Sequence, residues 1–224
     1  MVDIIPIPGF FQPFSSLSHL LGAVVFAGFS LPLLLRGRGD GPRLTGLAIF
    51  CLGTVLLLAI SGTYHMLNPA GSARPLVRRL DHAAIFVLIA CSFTPSLIIL
   101  FRGKTRAGLL LLVWLYAIVA IVFKMSYFDQ ISSHQGLVLY LVMGGIGIFP
   151  CISLGRRYGW LFLQPIVLGG IAYALGGTLE SFHWPVMVPG VIQWHEVFHI
   201  AVLIGLGFHW AFVFTIADGR VEMI

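Results

Sequence analysis

The chain has 224 residues, of which 58% are hydrophobic and only 9% are charged. A soluble domain of this size could not bury so much apolar surface, so the composition excludes a water-soluble globular protein and predicts a polytopic membrane protein. The formal net charge of +5 does not indicate a nucleic-acid partner, because the Lys and Arg residues lie in short segments between apolar runs.

Seven apolar runs follow one another along the chain, each close to the roughly 20 residues that span a bilayer. The predicted spans are about 15–35, 44–67, 80–101, 107–125, 134–154, 160–179 and 190–217. The segments between them are short and rich in Gly, Pro and Arg. We therefore predict an all-α integral membrane fold, a single seven-transmembrane-helix domain over residues 1–224 with antiparallel neighbouring helices.

The Lys and Arg residues are unevenly divided between the two ends of this bundle. Nine lie in the first, third and fifth loops or at the C-terminus, and four lie on the opposite side. By the positive-inside rule, this distribution predicts a cytoplasmic C-terminus and an N-terminus outside.

Several polar residues interrupt the apolar runs. Ser61 and His65, near the end of the second span, are four residues apart and share one helix face, as do His195 and His199 near the start of the seventh. Asp81 lies at the start of the third span. The second span ends on the side where the third and seventh begin, so all five side chains are predicted to lie at one end of the bundle.

This set of side chains indicates a specific chemistry. Three neutral imidazoles with a fourth position open to water form the coordination set of a catalytic zinc ion, which predicts Zn²⁺ on His65, His195 and His199. Asp81 is predicted to act as the general base and later to protonate a leaving amine. Ser61 is predicted to hold the water or to donate to a developing oxyanion.

Two further residues are predicted to support this site. Glu196 can orient a ligand histidine or hydrogen-bond a neighbouring helix, and His19, at the same end of the first span, can contact a ligand histidine or the substrate. Structural interpretations also stay open: the histidine pair can form interhelical hydrogen bonds, Asp81 can pair with Arg78 or Arg79, and Ser61 can bond its own helical turn.

Ser61-x-x-x-His65, Asp81 and His195-x-x-x-His199, in this order and on these helices, resemble the hemolysin III family. That family is related to the progestin and adipoQ receptors and to the alkaline ceramidases. The segments similar to its bacterial branch are Ser18 to Gly22, Gly169 to Tyr173 and His209-Trp210. The resemblance implies the same zinc ligands with Asp81 and Ser61 as catalytic accessories, a ceramide-type amide as the substrate of lipid-hydrolysing relatives, and a bacterial inner or plasma membrane location.

Three functions are compatible with these residues. The leading hypothesis is a zinc-dependent, ceramidase-like hydrolase of a lipid amide or ester, with a membrane lipid as substrate or ligand. The second is a non-enzymatic receptor, stress sensor or cytolysin in which zinc is structural. The third is an intramembrane zinc protease, because His195-Glu196-x-x-His199 matches the H-E-x-x-H pattern in which the glutamate is the general base.

Overall fold

The computed structural model describes residues 4–221 and 223, and within them it contains helices and no β-strands beyond two isolated bridges. The helices are α1 (Pro13–Arg36), α2 (Gly41–Met66), α3 (Arg74–Leu100), α4 (Gly103–Ser126), α5 (Ser133–Gly145), α6 (Ile148–Tyr158), α7 (Trp160–Ser181) and α8 (Trp194–Ile216). They provide seven segments long and apolar enough to cross a membrane, α5 and α6 together forming the fifth. The predicted all-α fold with seven spans is confirmed.

The fifth span differs from the continuous helix predicted for it. It breaks after Gly145 and resumes at Ile148. Glycine residues cluster at this break and weaken the helix, and Pro150 lies in the first turn of α6, where its missing N–H costs no intrahelical hydrogen bond. The local sequence therefore favours two short helices with a bend between them.

Two helix starts also differ from the predicted spans. α3 begins at Arg74, several residues earlier than predicted, with a proline in its first turn where that residue is well tolerated. α8 begins at Trp194, after a short turn closed by the Val188–Ile192 bridge. The charge-based orientation of the bundle stays a prediction.

A layer of apolar side chains from α1, α2, α3 and α8 holds one end of the bundle together. Its buried members are Ala23, Phe26, Leu57, Leu58, Ala84, Leu88, Val202 and Leu206. Each helix carries a polar residue about one turn from this layer and nearer that end: His19, Ser61, Asp81 and His199. Since a helical turn rises by about 5.4 Å, the packed layer brings these four polar residues to a common depth.

Helices α1 and α2 approach each other closely at Gly62. The Ser16 hydroxyl donates to the Gly62 carbonyl oxygen at 2.8 Å, and a Cβ at position 62 would lie 3.0 Å from the Leu20 backbone nitrogen. We expect Gly62→Ala to lower the free energy of unfolding by about 1–3 kcal/mol, because the two backbones must separate. Thermal unfolding in detergent measures this loss. Gly28→Ala, whose new Cβ would meet no atom within 4 Å, is the matched control, and equal effects of both changes would contradict the packing argument.

Candidate metal centre

Three imidazoles converge where α2 ends and α8 begins, those of His65 and His199 buried and that of His195 half-buried. His65 lies in the last turn of α2, and His195 and His199 lie in the first two turns of α8. The Nε2 atom of His195 is 3.1 Å from the Nε2 atoms of both His65 and His199. The three ring centroids are each 4.7 Å from the other two, so the rings surround one point symmetrically.

Two neighbouring acceptors determine how these rings are protonated. His65 Nδ1 is 2.5 Å from Gln12 Oε1, and His195 Nδ1 is 3.0 Å from Glu180 Oε1. Because both oxygens accept hydrogen bonds, this network assigns the ring proton to Nδ1 in each histidine. The lone pairs of both Nε2 atoms therefore point towards the centre of the cluster.

The donor set fits a metal ion. Converging lone pairs at 3.1 Å repel each other unless a cation or a proton lies between them. A tetrahedral zinc ion with Zn–N bonds of about 2.0–2.1 Å requires its ligand nitrogens to be about 3.3 Å apart, close to the observed spacing. His65, His195 and His199 could thus hold a metal ion.

Asp81 and Ser61 form a buried pair beside the histidines. Both side chains are nearly inaccessible, and the Ser61 hydroxyl faces the Asp81 carboxyl group, which is near enough to His195 for electrostatic interaction. Among the described residues, neither Arg78 nor Arg79 forms an ion pair with Asp81: Arg78 covers the Phe128 ring and Arg79 binds Asp129.

Glu196 connects α1 to the start of α8. Its Oε1 accepts a hydrogen bond from the Ser15 hydroxyl at 2.8 Å, and its Oε2 accepts one from the Gln193 backbone N–H at 3.0 Å. The side chain is 1% exposed. Both oxygens of Glu196 therefore already have hydrogen-bond donors in the protein.

His19 forms a wall of the same site. Its ring stacks on His199 with the centroids 3.8 Å apart, and the side chain is buried. Among the described residues, neither ring nitrogen of His19 has a hydrogen-bond partner. A buried imidazole ordinarily finds such partners, so the unpaired nitrogens make His19 a candidate to bind a polar ligand group or water.

Sequence reasoning did not identify Gln12 and Glu180, the two acceptors that orient the histidines. Glu180 could have been identified from the sequence, because a carboxylate in an apolar helix is costly unless it has a partner. The sixth span also ends on the side of the bundle where the seventh begins, which places Glu180 near His195. Gln12 precedes the first predicted span, and no spacing in the sequence relates it to His65. The structure also joins it to the third helix, since Arg74 Nη2 lies 3.5 Å from Gln12 Oε1.

Comparisons with known proteins agree with this architecture. The family model described as "Haemolysin-III related" matches residues 12–210. Hemolysin-3 of Bacillus cereus is 26% identical over 193 residues, covering 85% of this chain and 84% of that protein. The Hemolysin-3 homolog of Bacillus subtilis (strain 168) is 28% identical over 168 residues, covering 72% of this chain and 76% of the relative.

A plant protein is also similar. The heptahelical transmembrane protein ADIPOR2 of Oryza sativa subsp. japonica is 29% identical over 199 residues, covering 82% of this chain and 87% of its own length. The family match includes all three histidines, the Asp81–Ser61 pair and the seven spans almost completely. With its seven apolar helices and buried histidine cluster, the chain belongs to the haemolysin-III related family of multi-pass membrane proteins.

Proposed function

We propose that this protein is a zinc-dependent hydrolase of a membrane lipid that contains an amide or ester bond. The observation that supports this most strongly is the convergence of three Nε2 atoms beside a buried carboxyl and hydroxyl pair. Zinc held by His65, His195 and His199 would supply a water molecule activated as a nucleophile near neutral pH.

The chain's own residues would move the protons. Asp81 accepts the proton of the attacking water and then delivers it to the amine or alcohol that leaves. Before the reaction, the Ser61 hydroxyl donates to the Asp81 carboxylate and holds it in position. Once Asp81 has taken the water proton, Asp81 can donate to Ser61, and the Ser61 hydroxyl can then donate to the oxyanion that develops on the substrate carbonyl. Burial of both residues excludes bulk water and strengthens these interactions.

A lipid substrate suits the surroundings of the site. Large apolar side chains cover much of the outside of the bundle, so a substrate with acyl chains can approach from the bilayer. His19, with both ring nitrogens unpaired, can hydrogen-bond the polar group of such a lipid.

A receptor, stress sensor or cytolysin would use the same ion structurally. Structural zinc sites are normally closed by four protein ligands. Within residues 4–221 and 223, the metal-binding group contains three histidines and no fourth His, Cys, Asp or Glu, which favours hydrolysis. An intramembrane protease would need Glu196 as its base, and the hydrogen bonds to Ser15 and Gln193 instead favour a capping role.

A lipid screen tests the proposal. The full-length protein, stripped of metal with a chelator and then reloaded with zinc, is incubated with N-acyl and O-acyl lipids, including ceramide. We expect fatty acid release by the reloaded protein and none by the stripped protein. Lipid turnover that is equal in both, or absent from the zinc-loaded protein across the screen, would contradict the proposal.

Removal of the Glu180 carboxylate should weaken zinc binding without abolishing it. We expect Glu180→Ala to reduce zinc affinity by about 10- to 100-fold, because His195 loses the acceptor that fixes its tautomer. Competition with a chromophoric chelator measures the change. Asp129→Ala removes an exposed carboxylate and is the matched control; an equal loss of affinity in both variants would argue against an orienting role for Glu180.

A further inference from the structure

We propose that the protein has a second binding site, which takes a phosphate oxyanion carried by the headgroup of an anionic membrane lipid. The site consists of Arg78, Arg79 and Lys124 around the Phe128 ring, and we name it the Phe128 cluster. It contains none of the metal-binding histidines and does not depend on the proposed hydrolysis.

Three positive charges meet at one aromatic ring. The Cζ atoms of Arg78 and Arg79 each lie 5.1 Å from the Phe128 centroid, and Lys124 Nζ lies 5.9 Å from it. Cation–π attraction favours each contact, but the Lys124 ammonium and the Arg78 guanidinium are close enough to repel each other. An anion that contacts two or three of them would relieve this repulsion.

The described residues do not neutralise the cluster. Asp129 Oδ2 lies 3.3 Å from Arg79 Nη2, and both side chains are largely exposed. Within residues 4–221 and 223, no carboxylate forms an ion pair with Arg78 or Lys124, and the Lys124 ammonium has no hydrogen-bond acceptor. Lys124 is nevertheless only 4% exposed. Lys124 Nζ is not itself fully enclosed, so an external anion can reach it and supply the counter-charge that a largely buried lysine needs.

The packing of α5 holds the Lys124 charge in this position. A Cβ at Gly136, in the first turns of α5, would lie 2.8 Å from Lys124 Nζ. The absence of a side chain at Gly136 therefore leaves room for the ammonium. The N-terminus of α5 also has the positive end of the helix dipole, which adds to the attraction for an anion.

The location of the cluster favours a lipid as the source of the anion. Arg78 and Arg79 lie near the start of α3, and Lys124 lies in the last turn of α4. All three are therefore near one end of the apolar bundle, where lipid headgroups meet a membrane protein. Basic pockets between transmembrane helices bind acidic headgroups, and a guanidinium can donate two parallel hydrogen bonds to a phosphate.

Native mass spectrometry of the full-length protein released from nanodiscs tests the site. With equal amounts of phosphatidylglycerol and phosphatidylcholine, we expect the wild type to retain phosphatidylglycerol about tenfold more often. Arg78→Gln combined with Lys124→Met should reduce this preference to nearly one, and Arg78→Gln alone, at an exposed position, should reduce it partly. Arg102→Gln combined with Lys104→Met removes the same charges at the other end of the bundle and should retain the preference.

Inorganic phosphate distinguishes the two sources of the oxyanion. If phosphate added to the wild type displaces phosphatidylglycerol at low concentration, the cluster is a site for soluble phosphate; if it does not, the ligand is the lipid headgroup. Equal retention of the two lipids by the wild type, or equal losses in the Phe128 cluster variant and in the Arg102 and Lys104 control, would overturn the proposal.

Discussion

The His195→Ala, His199→Ala double variant is expected to purify with less than about 0.1 zinc ion per chain, whereas the wild type retains about one. Two of the three converging Nε2 atoms are lost in this variant, and the remaining imidazole of His65 cannot hold zinc firmly alone. Elemental analysis of the purified full-length protein measures the metal content.

A matched control for this experiment comes from two other histidines. His134 bonds to the Ser181 hydroxyl and His183 lies in the turn after α7, and neither belongs to the histidine cluster. The His134→Ala, His183→Ala double variant should keep its zinc. Full metal content in the His195 and His199 variant would show that the converging rings are not the metal site.

The second large effect concerns Asp81. We expect Asp81→Asn to reduce lipid hydrolysis by about 10²- to 10⁴-fold while zinc remains bound, because an amide cannot accept the proton of the attacking water. Released fatty acid and zinc content are measured on the same preparation. Retained zinc with lost hydrolysis would separate the chemical role of Asp81 from a role in metal binding.

Glu196→Gln is the counterpart that distinguishes a lipid hydrolase from an intramembrane protease. Most of the hydrolysis should persist in this variant, because Glu196 is engaged by Ser15 and the Gln193 backbone and the proposed mechanism does not use it as a base. The opposite pattern, with an active Asp81→Asn variant and an inactive Glu196→Gln variant, would support the protease hypothesis.

The sequence was sufficient to predict, by simple geometry, that the polar residues lie together at one end of the helix bundle. Successive short loops alternate the direction of the spans, so the end of the second span must meet the start of the third and seventh. Helix periodicity then places His195 and His199 on one face. These two rules relate residues 130 positions apart, such as His65 and His195.

The individual contacts could not be predicted in this way. Whether Glu196 faces the metal or Ser15 depends on the rotation of α8 about its axis, which the packing of all neighbouring helices determines. The H-E-x-x-H pattern is equally compatible with a base and with a helix cap. The contact of His65 with Gln12 likewise requires the N-terminal segment to fold across the end of α2.

The break between α5 and α6 shows another limit of periodicity. Hydropathy alone describes residues 134–154 as one apolar span, because Gly and Pro do not lower its mean hydropathy enough to mark a boundary. The backbone responds instead to the missing side chains near Gly145 and to Pro150. The position of this bend is therefore set by the backbone preferences of Gly and Pro and not by polar residues.

The structure of the zinc-loaded, full-length protein tests the central claim most directly. The open site that hydrolysis requires predicts a zinc ion within about 2.0–2.1 Å of the Nε2 atoms of His65, His195 and His199, with no protein atom at the fourth coordination position. A fourth protein ligand bound directly to the zinc, such as the Asp81 carboxylate, or zinc bound elsewhere in the chain, would contradict it.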